Sequence, residues 1–243
     1  NYSIINASGN QIGLSKAFMD SYLMNDGTRF TDKPGYATMI FGEEFENRDP
    51  RMFQTVRCPG YARIGKDHDV NRLYEAMIIS TTGYMPIKYI QSGDYDKQTS
   101  NENDIILYRY AEVLLNYAEA KAELGTLTQT DLEQSIKLIR DRVGMPNMNM
   151  AAANANPDPV LAAQYPLVSG SNKGVILEIR RERRVEMVME DLRYDDIIRW
   201  KAGHLFKEQF KGAYFSTVSA PSTKYDLDKP AYTVRNANFY IYI

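Results

Sequence analysis

Residues 108–124 read Tyr-Arg-Tyr-Ala-Glu-Val-Leu-Leu-Asn-Tyr-Ala-Glu-Ala-Lys-Ala-Glu-Leu, and Gly125 follows at once. Alanine, leucine and glutamate are strong helix formers, and a glycine just past the last turn suits a left-handed C-terminal cap. The run therefore predicts a helix. Ala111, Ala118, Ala120 and Ala122 would let a second helix approach it closely. Five residues on, Thr130-Asp131-Leu132-Glu133 matches a capping box, in which two orphan backbone donors are satisfied at once. The helix it opens carries Leu132, Ile136, Ile139 and Val143 on one stripe and ends at Gly144, with Pro146 beyond. Two antiparallel helices joined by a short loop, about 34 residues together, have the size of one tetratricopeptide repeat. A single repeat cannot bury its own faces, and about three are needed for stability. Other helices, here or in the remainder of the protein, must complete the stack.

A third helix is expected over 176–192. Val185, Val188, Met189 and Leu192 mark one apolar face and Ile176, Ile179 and Met187 another, so it is expected to lie between neighbours. A short helix over 194–202 stops at Gly203. Between the second and third helices, 145–173 is an Asn/Ala/Pro-rich connection too long for a passive loop, expected to be lid-like, ligand-binding or partly disordered. The first 100 residues are loop-rich. Short helices fit 16–24, with Ser15 as N-cap, and 43–46, with Asp49-Pro50 as a stop. Strand-like fragments follow at 52–56, 76–81 and 85–90. The tail ends in Phe239-Tyr240-Ile241-Tyr242-Ile243, which alternates as a strand does. The expected architecture is mostly α: tetratricopeptide-like helix pairs in an α-α superhelix, with long irregular loops and a few short strands. Residues 1–103 form a loop-rich, ligand-binding segment, 104–203 a helical scaffold, and 204–243 an irregular tail.

Composition narrows the function classes. The 243 residues are 44% hydrophobic and 25% charged, an ordinary globular mix. Twenty-nine basic against 31 acidic residues leave a net charge of −2, with no basic run, so a phosphate-driven nucleic-acid binder is excluded. No stretch approaches about 18 consecutive apolar residues, so no helix is expected to span a bilayer. One cysteine, Cys58, rules out an intrachain disulfide and a Cys-rich metal site. His68 and His204 lie far apart and outside any His-Glu-x-x-His pattern. No cofactor or metal is expected. The sequence starts at Asn1-Tyr2-Ser3, without a charged-then-apolar leader, and reads as a mature product or a piece of something larger.

The densest charge lies at Glu178-Ile179-Arg180-Arg181-Glu182-Arg183-Arg184-Val185-Glu186. It reads either as a basic, anion-binding stripe or as a buried ion-pair network that fixes helix register. The network is the preferred reading, because the glutamates alternate with the arginines at i,i+3 and i,i+4 spacing. Asp195 and Asp196 point about 100° apart on a helix, so they cannot flank one glycosidic bond and are expected to favour a helix N-terminus instead. Cys58 before Pro59 reads as a packed small residue. The aromatic, polar stretch 36–84 is the remaining functional feature. Sugar recognition needs flat rings against C–H faces and planar polar groups for hydroxyls. Tyr36, Phe41, Tyr61, Tyr74 and Tyr84 are the candidate ligand-binding residues, with most rings of the stretch expected in the core. No catalytic residue is assigned.

Four segments in order carry a resemblance: Asn47-Arg48-Asp49-Pro50-Arg51; Pro86-Ile87-Lys88-Tyr89-Ile90; Leu107 to Leu115 with Tyr117-Ala118-Glu119-Ala120; and Glu182-Arg183-Arg184-Val185-Glu186 running through Asp191-Leu192-Arg193-Tyr194-Asp195-Asp196 to Arg199-Trp200-Lys201. Together, over about 150 residues, they resemble the C-terminal half of the SusD/RagB family of outer-membrane nutrient-binding lipoproteins. The resemblance implies tetratricopeptide-like helix pairs with the ligand site on irregular loops. It implies a lipid-anchored cell-surface protein, in the membrane only through that anchor, which captures oligosaccharides, or peptides in some members. The partner it implies is a TonB-dependent, SusC-like transporter, and it implies no catalytic residues. It makes Trp200 a packing residue. The family's acylated cysteine, signal peptide and N-terminal half are expected to lie outside these residues. Two rival readings are a helical-repeat scaffold that binds only a protein and, on its abundant carboxylates, a glycoside hydrolase.

Overall fold

The computed structural model describes residues 12–59, 61, 80–92, 95, 102–104, 106–214 and 240–241. The chain is mostly α. Helix α1 covers Lys16–Met19, α2 Phe41–Glu44, α3 Pro50–Thr55, α4 Tyr110–Glu123, α5 Gln129–Glu133, α6 Ile136–Asp141, α7 Met150–Ala155, α8 Pro159–Gln164, α9 Lys173–Glu186 and α10 Arg193–Arg199. Strand β1, Phe210–Lys211, pairs antiparallel with β2, Tyr240–Ile241. The strand expected at the tail is thus met at its described residues.

The hairpin expected from the opening stretch is present: α4 ends at Gly125, whose φ of 71° is open to glycine, and packs against α6. The cap of α5 falls two residues before the expected box. Thr128, not Thr130, caps α5: its Oγ1 accepts from the Asp131 amide at 3.2 Å, and the Asp131 carboxylate accepts from the Thr128 amide at 2.8 Å. Ser135, with φ −130° and ψ −85°, breaks the expected single helix into α5 and α6, while Leu132, Ile136 and Ile139 stay on one buried stripe.

Four expectations are corrected. Residues 145–173 are neither a lid nor disordered. Asn149 caps α7, Asp158 caps α8 with Pro159 in its first turn, and Met148, Leu161, Tyr165 and Val168 pack into the core beside α9. The 52–56 fragment is helix α3, not a strand. Asp49-Pro50 starts that helix instead of stopping the one before it, because proline lacks only a donor that the first turn leaves unpaired anyway. The 85–90 fragment makes one bridge, Val56 to Pro86, and then turns. The first strand-like residues at 76–79 lie outside the described residues.

Two cores result. One gathers Leu114, Leu115 and Ala118 of α4, the α5–α6 stripe, and Val175, Ile176, Leu177 and Ile179 of α9. The other gathers Phe18, Tyr22, Phe41, Phe45, Met52, Val56, Cys58 and Tyr84, and takes Val185 from α9. Helix α9 is therefore buried on two faces, as its pattern requires. Each fully buried leucine or isoleucine of these cores contributes roughly 1.5–3 kcal/mol. At the edge, the backbones of 12–14, 80–84 and 212–214 close together: Leu14 donates to the Tyr84 carbonyl at 3.0 Å and Ala213 to the Thr82 carbonyl at 2.8 Å. Added Cβ atoms at Gly13 and Gly212 would meet Thr82 at 2.2 and 2.4 Å, so only glycine permits this approach.

Candidate functional site

The charged run on α9 builds a frame. Asp49 caps α3 and accepts from Arg51 Nη2 at 2.6 Å; Arg51 Nη1 donates to Glu182 Oε1 at 2.6 Å and to Glu186 Oε2 at 3.0 Å. Glu182 also accepts from Arg140 Nε at 2.8 Å. Glu186 accepts from Arg109 at 2.6 Å and from Arg142 at 3.0 Å, and Arg109 and Lys88 both reach Glu190. Arg181 pairs with Asp158, and Arg183 Nε donates to both Asp196 oxygens at 2.8 Å. Burial alone would raise the Glu182 carboxyl, but the Arg140 and Arg51 guanidiniums beside it hold it at about 2. The network reading stands, with one correction. Among the described residues the expected partners at i,i+3 and i,i+4 supply only Arg181–Glu178; the other bonds run from α9 to α3, α4, α6, α10 and the loops. Asp195 and Asp196 sit in the first turn of α10, with Asp196 also accepting from Arg199 at 2.8 Å. Trp200 is buried and donates to Glu119 at 2.6 Å. Among the described residues no group of three or more His, Cys, Asp and Glu side chains is placed to hold a metal.

The aromatic candidates do not converge. Phe41 and Tyr84 are 1% and 0% exposed and stack on each other at 5.9 Å, and the Tyr84 hydroxyl donates to buried Glu44 at 2.5 Å. Both rings are corrected to core residues, since packing takes both of their faces. Tyr36 is half-buried on a 3₁₀ turn, edge-on to Phe30 at 5.9 Å. Tyr61 is half-buried against the second core, 5.9 Å from the Arg57 guanidinium. Tyr74 lies outside the described residues. Cys58 is buried, and burial pushes its thiol up to about 11, so it is the packed residue expected.

The sequence reading missed the concave site that the fold does form. A cavity of about 550 Å³ opens between α1, the end of α9, α10 and residues 205–211. Phe18, Met187, Val188, Ile197 and Leu205 supply apolar walls, and Phe206 and Phe210 are exposed beside them. Its polar lining includes Arg183, Arg184, Arg193, Gln164, Lys16 and Lys211 together with the carboxylates Asp20, Asp196 and Glu208. A shallower hollow of about 650 Å³ is bordered by Glu119, Arg180, Arg199, Trp200 and residues 167–172. In sequence, Arg184 looks like the three arginines around it; only the three-dimensional pairing separates them. Among the described residues no helix is long and apolar enough to cross a membrane.

The model of the SusD family matches residues 4–242. Among solved structures, a SusD-like protein from Bacteroides fragilis superposes with a TM-score of 0.58 at 25% identity, covering 84% of this chain and 39% of its own. The protein designated BT4246, solved with selenomethionine, superposes with a TM-score of 0.58 at 19% identity, covering 90% and 41%; a second structure of it gives 0.56 at 18% identity, covering 90% and 40%. The likeness to BT4246 is one of fold, and the chain spans about two fifths of the length of these structures. No protein of curated function matches significantly. With the match running almost end to end over the four segments and the α9 frame they build, the chain belongs to the SusD family.

Proposed function

We propose that this chain is part of a cell-surface, lipid-anchored glycan-binding protein that captures oligosaccharides and passes them to a TonB-dependent, SusC-like outer-membrane transporter without chemically altering them. The observation that carries the reading is the family match over residues 4–242. The geometry is compatible with binding. The strongest carboxylate cluster, around Glu182 and Glu186, is spent on guanidiniums, so it offers no raised-pKa acid for glycoside hydrolysis. Residues 1–103 would carry ligand contacts, with Tyr36, Tyr61 and Tyr74 as the stacking candidates, and 104–203 the scaffold. Calorimetric titration of the protein against plant, host and microbial oligosaccharides, followed by chromatography of each mixture, tests it. Saturable binding with intact ligand is expected; shortened ligand would overturn it in favour of a hydrolase.

One surface favours a second reading. Tyr110, Val113 and Tyr117 are 68%, 57% and 40% exposed at i, i+3 and i+7 on α4. Such an apolar helix stripe suits a protein neighbour. A pull-down that captures a protein partner through this stripe, from material that binds no glycan, would support a pure interaction scaffold.

A further inference from the structure

The cavity beside α9 holds positive charge that the described residues leave uncompensated. Arg183 is neutralised by Asp196, and Lys16 by Asp20 and Glu44. Arg184 is different: among the described residues it makes no hydrogen bond and no ion pair, and its guanidinium only leans on the Phe18 ring, 5.8 Å from the centroid. Arg193 donates through Nη2 to the Tyr165 hydroxyl at 3.0 Å, while its Nη1 is buried with no partner. Gln164 Oε1, in the same lining, is also buried and unpartnered. Burial, and next to it the charge of Arg193, press the Arg184 guanidinium down to about 10. Asp20 and exposed Glu208 border the cavity, but neither lies within ion-pair distance of Arg184 or Arg193. A water molecule could take up single hydrogen bonds here, but it cannot neutralise two neighbouring guanidiniums.

We propose that this cavity binds the carboxylate of an acidic sugar, with Arg184 and Arg193 gripping the anion and the exposed Phe206 and Phe210 rings lying against the sugar's C–H surface. The inference rests on the glycan-capture reading above and names its ligand class. A guanidinium offers a planar fork that matches a planar carboxylate through two parallel hydrogen bonds, which favours a uronic or sialic acid over a neutral sugar. The apolar walls and a volume of about 550 Å³ suit a small organic ligand more than a bare inorganic ion. Gln164 Oε1 is left to accept from a sugar hydroxyl.

The test is titration of the protein with trigalacturonate and its methyl ester, with sialyllactose and lactose, and with sulfated lactose. At least one acidic sugar is expected to bind, about tenfold or more tighter than its neutral counterpart. Arg184→Gln and Arg193→Gln should each weaken the acidic sugar by about tenfold while leaving the weak affinity for the neutral one unchanged. The acid-against-ester comparison on the unmutated protein needs no variant, so it holds even if one of them folds poorly. Neutral oligosaccharides bound as tightly as acidic ones, preference for sulfated lactose alone, or acidic binding untouched by both variants would overturn the inference and leave glycan capture standing. Binding of no sugar in this set or in the wider panel would overturn both.

Discussion

Glu182→Gln is the perturbation that most directly examines the frame. The glutamate is fully buried in α9 and accepts from Arg51 Nη1 at 2.6 Å and from Arg140 Nε at 2.8 Å. Glutamine keeps the shape but removes the charge, and it turns one of the two accepting oxygens into an NH2 group that faces a guanidinium donor. Burial works against that charge, and the two guanidiniums more than reverse it, taking the carboxyl from an ordinary 4.5 to about 2. That lowering corresponds to about 3 kcal/mol of preference for the ionised form in the folded state. Breaking a buried ion pair by removing one partner costs about 3–5 kcal/mol, which agrees. Urea unfolding at pH 7 should therefore show a midpoint lowered by about 3 kcal/mol divided by an unchanged slope. The pH dependence carries a sign. A carboxyl whose folded value is depressed stabilises fully above its unfolded value of about 4.5, and that contribution is lost as the pH falls through the folded value of about 2. The gap between the two proteins should thus be full at pH 5 and above and close steadily toward pH 2. A loss below about 1 kcal/mol at pH 7, or a gap that does not narrow in acid, would refute the reasoning.

Gly174→Ala should destabilise by about 1–3 kcal/mol or more, because a Cβ there would sit 1.9 Å from the Ala153 carbonyl oxygen where α9 meets α7; Gly125→Ala, with open space but a φ of 71°, should cost only about 1–2 kcal/mol, both read by thermal melting. Trp200→Phe should cost about 2–3 kcal/mol in urea unfolding, since the Glu119 carboxylate loses its buried 2.6 Å indole donor. Cys58 should resist iodoacetamide at neutral pH in the folded protein and react only on unfolding, as its thiol is buried and held near 11.

The long helices were legible because their signals are local. The expected 108–124 became Tyr110–Glu123, delayed at the start because Arg109 is extended, at φ −143° and ψ 156°, and turns its side chain to Glu186 and Glu190. Short elements were harder, since six residues cannot hold a helix without packing. In 150–164 the caps Asn149 and Asp158 and the proline at 159 were present in the sequence, but the apolar contacts that stabilise α7 and α8 come from α9. At 52–56, Phe53, Thr55 and Val56 favour a strand, and a buried Arg51 bound to Glu182, 131 residues away, overrules them. The cavity was illegible for a related reason. Which arginine is left unpaired depends on Asp158 and Asp196, whose positions no helical spacing rule supplies.

Arg183 and Arg184 bring this to a sharp comparison, because they are adjacent, chemically identical and put to opposite use. Arg183 is buried, shares both Asp196 oxygens at 2.8 Å and donates to Asn116 at 2.7 Å. Removing it leaves Asp196, itself buried, with Arg199 as its one cationic partner among the described residues, so Arg183→Gln should lower stability by about 3 kcal/mol. Arg184 contributes no ion pair and bears the repulsion of Arg193, so Arg184→Gln should leave stability within about 0.5 kcal/mol of the unmutated protein or raise it slightly. Urea unfolding of the two variants side by side decides the matter. Equal losses would mean that Arg184 belongs to the frame after all, and its charge could not be held in reserve for a ligand. A large loss at Arg183 beside none at Arg184 is the pattern of a binding group, because a charge kept half-buried without a partner costs the free protein energy that only an incoming anion returns.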